Sequence, residues 1–171
     1  MDSEARRLIL LRHAKSDWPE GIPDLERPLA ERGVVDATAA GRTLAAIAVP
    51  DLVLCSPARR TRRTWELAAP ALEGVAAPRV EPVIYGAEVG EILQLVRAAP
   101  ADARAVLVIG HEPTMSQTAR ALAGPGSSTG DLARLEAKYP TSGMAVFRFD
   151  GEWADLAPAG ATLEAFLIPR G

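Results

Sequence analysis

Apolar residues fall along this chain in short runs with two different spacings. Arg7 to Leu11, Asp51 to Cys55, Val80 to Ile84, Ala105 to Ile109 and Met144 to Phe149 are runs bounded by turn residues, as buried strands are. Glu152 to Leu156 and Thr162 to Ile168 are two weaker strand candidates. The first, second and fourth runs are apolar at consecutive positions, which predicts strands covered on both faces, as in a parallel sheet. Between them the spacing turns helical. Leu29 to Ala48 carries Val34, Val35, Leu44, Ala45 and Ile47 and is closed by Pro50. Pro57 to Ala69 follows Ser56, which reads as an N-cap with proline at the first helical position. Ala87 to Ala98 and Pro113 to Ala123 complete the set. Strands alternating with helices predict an α/β fold with a largely parallel sheet. Gly124 to Ser142 interrupts this rhythm. Its GPGSSTG reads as a loop, its DLARLEAKY as a short helix, and the whole as a loop or lid insertion.

A chain of 171 residues fits one domain with a real core. Its net charge of -3 gives no general attraction for nucleic acid or for an anionic membrane. The single cysteine, Cys55, excludes an internal disulfide framework and suits a reducing cytoplasm. The charged opening MDSEARR and the brief run Leu8 to Leu11 do not make a signal-peptide core, and no stretch reaches the length of a membrane span. A cytoplasmic protein is expected.

In open α/β sheets, ligands bind beyond the carboxyl ends of the strands. Three predicted strands end there in chemistry: Arg12-His13, Ser56-Pro57-Ala58-Arg59-Arg60, and Gly110-His111. Both histidines of the chain therefore sit at strand ends on one edge. The arginines are a second anomaly. A helix N-terminus is partially positive and disfavours a cation by roughly 0.3–1 kcal/mol, yet Arg59, Arg60, Arg62 and Arg63 crowd one. A broken local rule marks a working site, and an arginine at a helix start suits a phosphate. Most of the four are expected to point to solvent. Arg12, His13, one helix-start arginine and His111 would form an anion pocket. Neutral imidazole is a competent nucleophile towards phosphorus. No carboxylate or cysteine completes a metal site at ligand spacing, and no phosphate-cradling glycine loop is present, so neither a metal nor another cofactor is expected.

LRHAKSDW, CSPARRTRRT and VIGHEPT, in this order, resemble the motifs of the histidine phosphatase superfamily, which includes the cofactor-dependent phosphoglycerate mutases. Through DLERPLAERG, PVIYGAE and KYPTSGMAVFRFDGEWADL the likeness to SixA-type phosphohistidine phosphatases extends over nearly the whole chain. The resemblance implies a phosphoglycerate mutase-like, three-layer α/β/α fold. It implies His13 as the phosphorylated nucleophile, Arg12 as its phosphate-clamping neighbour and His111 as the second histidine. The family's arginine lies four residues past the serine, which selects Arg60 over Arg59. Ser16 matches a polar residue near the phosphate, with Lys15 and Asp17 at the rim. Glu88 falls where the mutases carry their acid; its other reading is a glutamate favoured by a helix N-terminus. Pro19 replaces the mutases' asparagine, and Ala14 and Glu112 also depart from the commoner pattern.

The leading expectation is a phosphatase acting on phosphohistidine of a phosphotransfer protein through a covalent phosphohistidine. An imidazole leaving group needs less proton assistance than an alkoxide, so the lack of a clear acid motif favours that substrate. A metal-independent phosphatase of small phosphomonoesters such as sugar phosphates, and a non-catalytic phosphate-binding module, are the alternatives. A nucleic-acid partner on RRTRR is disfavoured by the acidic balance and the lack of interleaved aromatics. Trp18, Trp65 and Trp153 are expected to pack, with Trp18 alone placed where it could border an entrance.

Overall fold

The computed structural model describes residues 5–171, so the first residues of the charged opening segment lie outside the described residues. Among these residues, β1 (Arg6–Arg12), β2 (Leu52–Cys55), β3 (Arg79–Val80), β4 (Ala105–Gly110), β5 (Met144–Phe149) and β6 (Thr162–Leu167) form a sheet ordered β3-β2-β4-β1-β5-β6. β3, β2, β4 and β1 run parallel, and β5 is antiparallel to both β1 and β6. The sheet is thus mostly parallel, as the doubly apolar runs predict.

Side chains alternate across a strand, and here both sets find a core. Leu8, Leu10, Val106 and Val108 pack on one face with Ile92 of α3 (Val89–Arg97) and Met115 of α4 (Thr114–Leu122). Ile9, Leu11, Leu107 and Ile109 pack on the other with Leu44 of α1 (Glu31–Ile47) and Trp65 of α2 (Arg59–Ala68). The result is a three-layer α/β/α fold. Each fully buried leucine or isoleucine contributes about 1.5–3 kcal/mol, enough to place the sheet centre, and with it the strand ends, on a rigid base. No helix among the described residues is long and apolar enough to cross a membrane.

Three local expectations change. Val80 to Ile84 is not a strand: β3 stops at Val80 and Pro82–Ile84 is a 3-10 turn. Pro82 has no N–H to give a ladder, so the edge strand ends before it. Glu152 to Leu156 likewise holds a 3-10 turn at Trp153–Asp155, where the buried Trp153 donates its indole N–H to the Ala103 carbonyl. α2 begins at Arg59 rather than at Pro57, and Ser56 does not cap it; the Ser56 hydroxyl instead accepts the Ala58 N–H at 3.3 Å, one turn early. Within 124–142 the short helix expected over DLARLEAKY does form, as α5 (Thr129–Ala137), capped by Ser128 and anchored by buried Leu135. α5 lies against β6 and α4.

One glycine sets the approach to the site. A Cβ on Gly33, in the first turns of α1, would stand 2.0 Å from the Lys15 carbonyl oxygen. Only glycine lets α1 press against the loop after β1, where the Ala30 N–H donates to that carbonyl at 2.9 Å.

Candidate active site

β1 and β4 are neighbours in register, Arg12 opposite Gly110. The next residue of each strand is a histidine, so His13 and His111 leave the sheet side by side. The His13 N–H donates to the Gly110 carbonyl at 3.1 Å. The two rings lie 5.4 Å apart, tilted by 54°. β2 ends on the other side of β4, and the Ser56 N–H donates to the Ile109 carbonyl, which brings the start of α2 alongside. Sheet order alone therefore gathers three strand ends separated by up to a hundred residues of chain.

The resulting pocket holds about 300 Å³. Arg12, His13, Ser16, Arg60 and His111 all line it. So does Lys15; Asp17 does not, although its carbonyl accepts the Arg27 Nε–H. Glu88 stands outside this wall, in an adjoining cleft that shares Arg60, His111 and Glu112 with it. The Glu88 carboxylate accepts an N–H of the first turn of α3 in a capping box closed by Glu91. Arg60 is 6% exposed, whereas Arg59, Arg62 and Arg63 are exposed and face a different surface.

His13 is 6% exposed. Its Nδ1 lies 2.7 Å from the Ala14 carbonyl oxygen. A carbonyl only accepts, so Nδ1 carries the proton and Nε2 presents the lone pair. Burial first, then His111, Arg12 and Arg60, push its pKa down to about 3, against the opposing Ala14 hydrogen bond. Burial and then Arg60 likewise lower His111 to about 4. Both rings are neutral at pH 7.

Ser56 settles the second tautomer. Its fully buried hydroxyl oxygen already accepts the Ala58 N–H and stands 2.7 Å from His111 Nε2. No other acceptor for its own proton is found among the described residues, so the hydroxyl donates to Nε2 and His111 is protonated on Nδ1. That Nδ1–H, the Nε–H of Arg12 and the Nε–H of Arg60 are buried without an acceptor in the protein. Both nitrogens of each ring can be followed by NMR. We expect 15N shifts to report Nδ1–H neutral rings on both histidines down to pH 5; protonation of either near its ordinary 6.5 contradicts the assignment.

Asp24 and Arg27 also line the pocket, and the residue-by-residue sequence reading missed them. Asp24 sits on a 3-10 turn (Asp24–Glu26) and binds Arg60 twice, through its carbonyl at 2.7 Å and its carboxylate at 3.1 Å. The Tyr85 hydroxyl above all, and then Arg27 and Arg60, hold the Asp24 carboxyl at about 2, so it stays ionised. Arg27 is buried and donates to the Ser16 hydroxyl at 2.7 Å. DLERPL, part of the stretch that resembles the SixA-type sequences, contains both. Its isolated charges carry no local signal, since their partners are 36 and 11 residues away. In all, the wall carries four cations (Arg12, Lys15, Arg27, Arg60) against two carboxylates (Asp24, Glu112), and such a pocket favours a small anion. No group of three or more His, Cys, Asp and Glu side chains suited to a metal ion occurs among the described residues.

Comparison with known proteins gives the family. The profile of the histidine phosphatase superfamily (branch 1) matches residues 8–91. An uncharacterized protein of Mycobacterium tuberculosis is 42% identical over 163 residues, covering 94% of this chain and all of that protein. The solved structure of a protein from Nakamurella multipartitia, provisionally assigned as the phosphohistidine phosphatase SixA, is 38% identical with a TM-score of 0.86 and covers 99% of both chains. A protein of Agrobacterium tumefaciens with the same provisional assignment is 33% identical, TM-score 0.80, covering 98% of this chain and 100% of that one.

Proposed function

The chain belongs to the histidine phosphatase superfamily and is of its SixA type, and from that membership we propose that it hydrolyses phosphohistidine on a phosphotransfer protein, through a covalent phosphohistidine on His13. What carries this reading is a buried, neutral His13, its Nδ1–H tied to Ala14, facing His111 at 5.4 Å between two arginines.

In the first step His13 Nε2 attacks phosphorus in line, and the bond from phosphorus to the substrate imidazole breaks. The substrate ring, already protonated on its other nitrogen, leaves neutral with the electron pair. The phosphorylated His13 keeps its Nδ1–H and so becomes an imidazolium carrying a phosphoryl group. In the second step water adds to phosphorus, the P–N bond breaks, and the pair returns to Nε2. Dihydrogen phosphate leaves and neutral His13 is restored. Arg12, Arg60 and His111, which line the pocket, hold the oxygens in flight, supplying charge stabilisation already in place before reaction. Nothing in either step takes a proton from a side chain.

That balance bears on the substrate. An alkoxide leaving group needs an acid, and the carboxylates at hand are all committed as acceptors. Asp24 binds Arg27, Arg60 and Tyr85, Glu112 accepts the Ser116 N–H at 2.7 Å, and Glu88 caps α3. Their engagement supports a phosphoramidate substrate over an ester. The open pocket also admits small phosphomonoesters such as sugar phosphates, which is the second reading.

One assay separates the two. A phosphotransfer protein phosphorylated on histidine, and a panel of sugar and nucleotide phosphates, are compared with alkaline quenching to keep the acid-labile phosphoenzyme. We expect the highest kcat/KM on the phosphoprotein, with label on the enzyme during turnover. A higher kcat/KM on any sugar phosphate transfers the assignment to the second reading.

A further inference from the structure

Two of the three tryptophans pack, Trp65 and Trp153 being buried, but Trp18 is 77% exposed. It lines the mouth of the catalytic pocket. Building on the functional reading above, we infer that Trp18 and the apolar lip around it form the docking surface for the polypeptide that carries the substrate phosphohistidine.

The ring is held in place even though it faces solvent. The Arg27 guanidinium carbon stands 3.2 Å from its centre, a cation–π stack. Arg27 is itself fixed by donating to the Asp17 carbonyl, the Asp24 carboxylate and the Ser16 hydroxyl. A large aromatic surface is thus presented with little freedom left to lose on binding. Ile22 and Leu25, in the same stretch of chain and flanking Asp24, are also exposed. Tyr85 is exposed as well, and its hydroxyl reaches Asp24 at 2.6 Å. Aromatic anchors next to a polar, desolvated centre are the usual makings of an interaction hot spot.

Reach decides the occupant. His13 is nearly inaccessible, and the phosphorus of a phosphohistidine lies only on the order of 6 Å from its own Cα by ordinary bond lengths. The main chain around such a residue has to rest on the rim while phosphorus meets Nε2. A small phosphoramidate has no main chain to rest on that rim, so the lip matters for one substrate far more than for the other.

The test compares Trp18→Ala, Trp18→Phe and the distant exposed control Val49→Ser on two substrates. One is phosphoramidate; the other is a histidine phosphotransfer protein phosphorylated by it. We expect Trp18→Ala to raise KM for the phosphoprotein about tenfold more than for phosphoramidate, with kcat little changed. Trp18→Phe should recover most of the loss and Val49→Ser should show none. Equal effects on both substrates, or no effect on either, overturn the docking surface. Loss of a dimer in sedimentation on Trp18→Ala overturns it too, assigning the lip to a second copy of the chain. Failure of the wild-type protein itself on the phosphoprotein, with phosphoramidate still hydrolysed, instead defeats the functional reading beneath it.

Discussion

His13→Ala removes turnover by roughly a thousandfold or more and leaves no labelled enzyme in a quenched reaction. The expectation follows from the role of one atom. In the mechanism we propose, Nε2 of His13 is the nucleophile, its lone pair freed by the Nδ1–H bond to Ala14, and alanine offers no replacement. Arg12, Arg60 and His111 remain, so phosphate should still bind, and the variant separates binding from chemistry. The fold should survive, because the ring's one protein hydrogen bond is to its own neighbour and it belongs to neither apolar core. Rapid quench with labelled substrate, alongside a thermal melt, reads both. Substantial residual turnover, or label that persists on the variant, removes His13 from the mechanism.

Arg60→Ala should cost about a hundredfold to a thousandfold in kcat/KM, and Arg59→Ala less than about twofold. The two variants delete the same charge from adjacent residues of one helix. A long-range electrostatic role would weaken both alike. They differ in direction: Arg60 points into the pocket, tied to Asp24 by two bonds, while Arg59 faces solvent beside Arg62 and Arg63. Successive helical positions are rotated by about 100°, so only one of the pair can reach the phosphoryl oxygens. Arg60→Ala also leaves the Asp24 carboxylate without one of its partners beside a site meant for an anion, which adds to the loss. Steady-state kinetics on phosphoramidate with both variants decide it. Equal effects void the choice of register.

Much of the fold was legible because its signals are local. Leu8 to Leu11 and Ala105 to Ile109 read as doubly covered strands, and both pack side chains on two cores. Helix extents agree to within two or three residues for α1 to α4. The misreadings have local causes as well. Pro82 ends the strand that Val80 begins, and a buried tryptophan at 153 makes a 3-10 turn resemble a strand by hydrophobicity alone. Trp18 was expected to pack or to border an entrance, and it borders the pocket; nothing in its neighbours reveals that Arg27, nine residues on, would stack on it.

The sequence by itself determined the alternating architecture and the placing of both histidines at strand ends, since periodicity and turn residues are written in adjacent positions, and its likeness to the family's motif pointed to Arg60. Only the tertiary structure decided that His13 and His111 face one another, that Ser56 sets a tautomer instead of capping a helix, and that Asp24 and Arg27 brace the pocket. Those facts depend on the pairing of β1 with β4 and on contacts across 36 residues or more for Asp24 and His111. Such pairings are fixed by burying the whole sheet between its helices, a balance that no short stretch of chain contains.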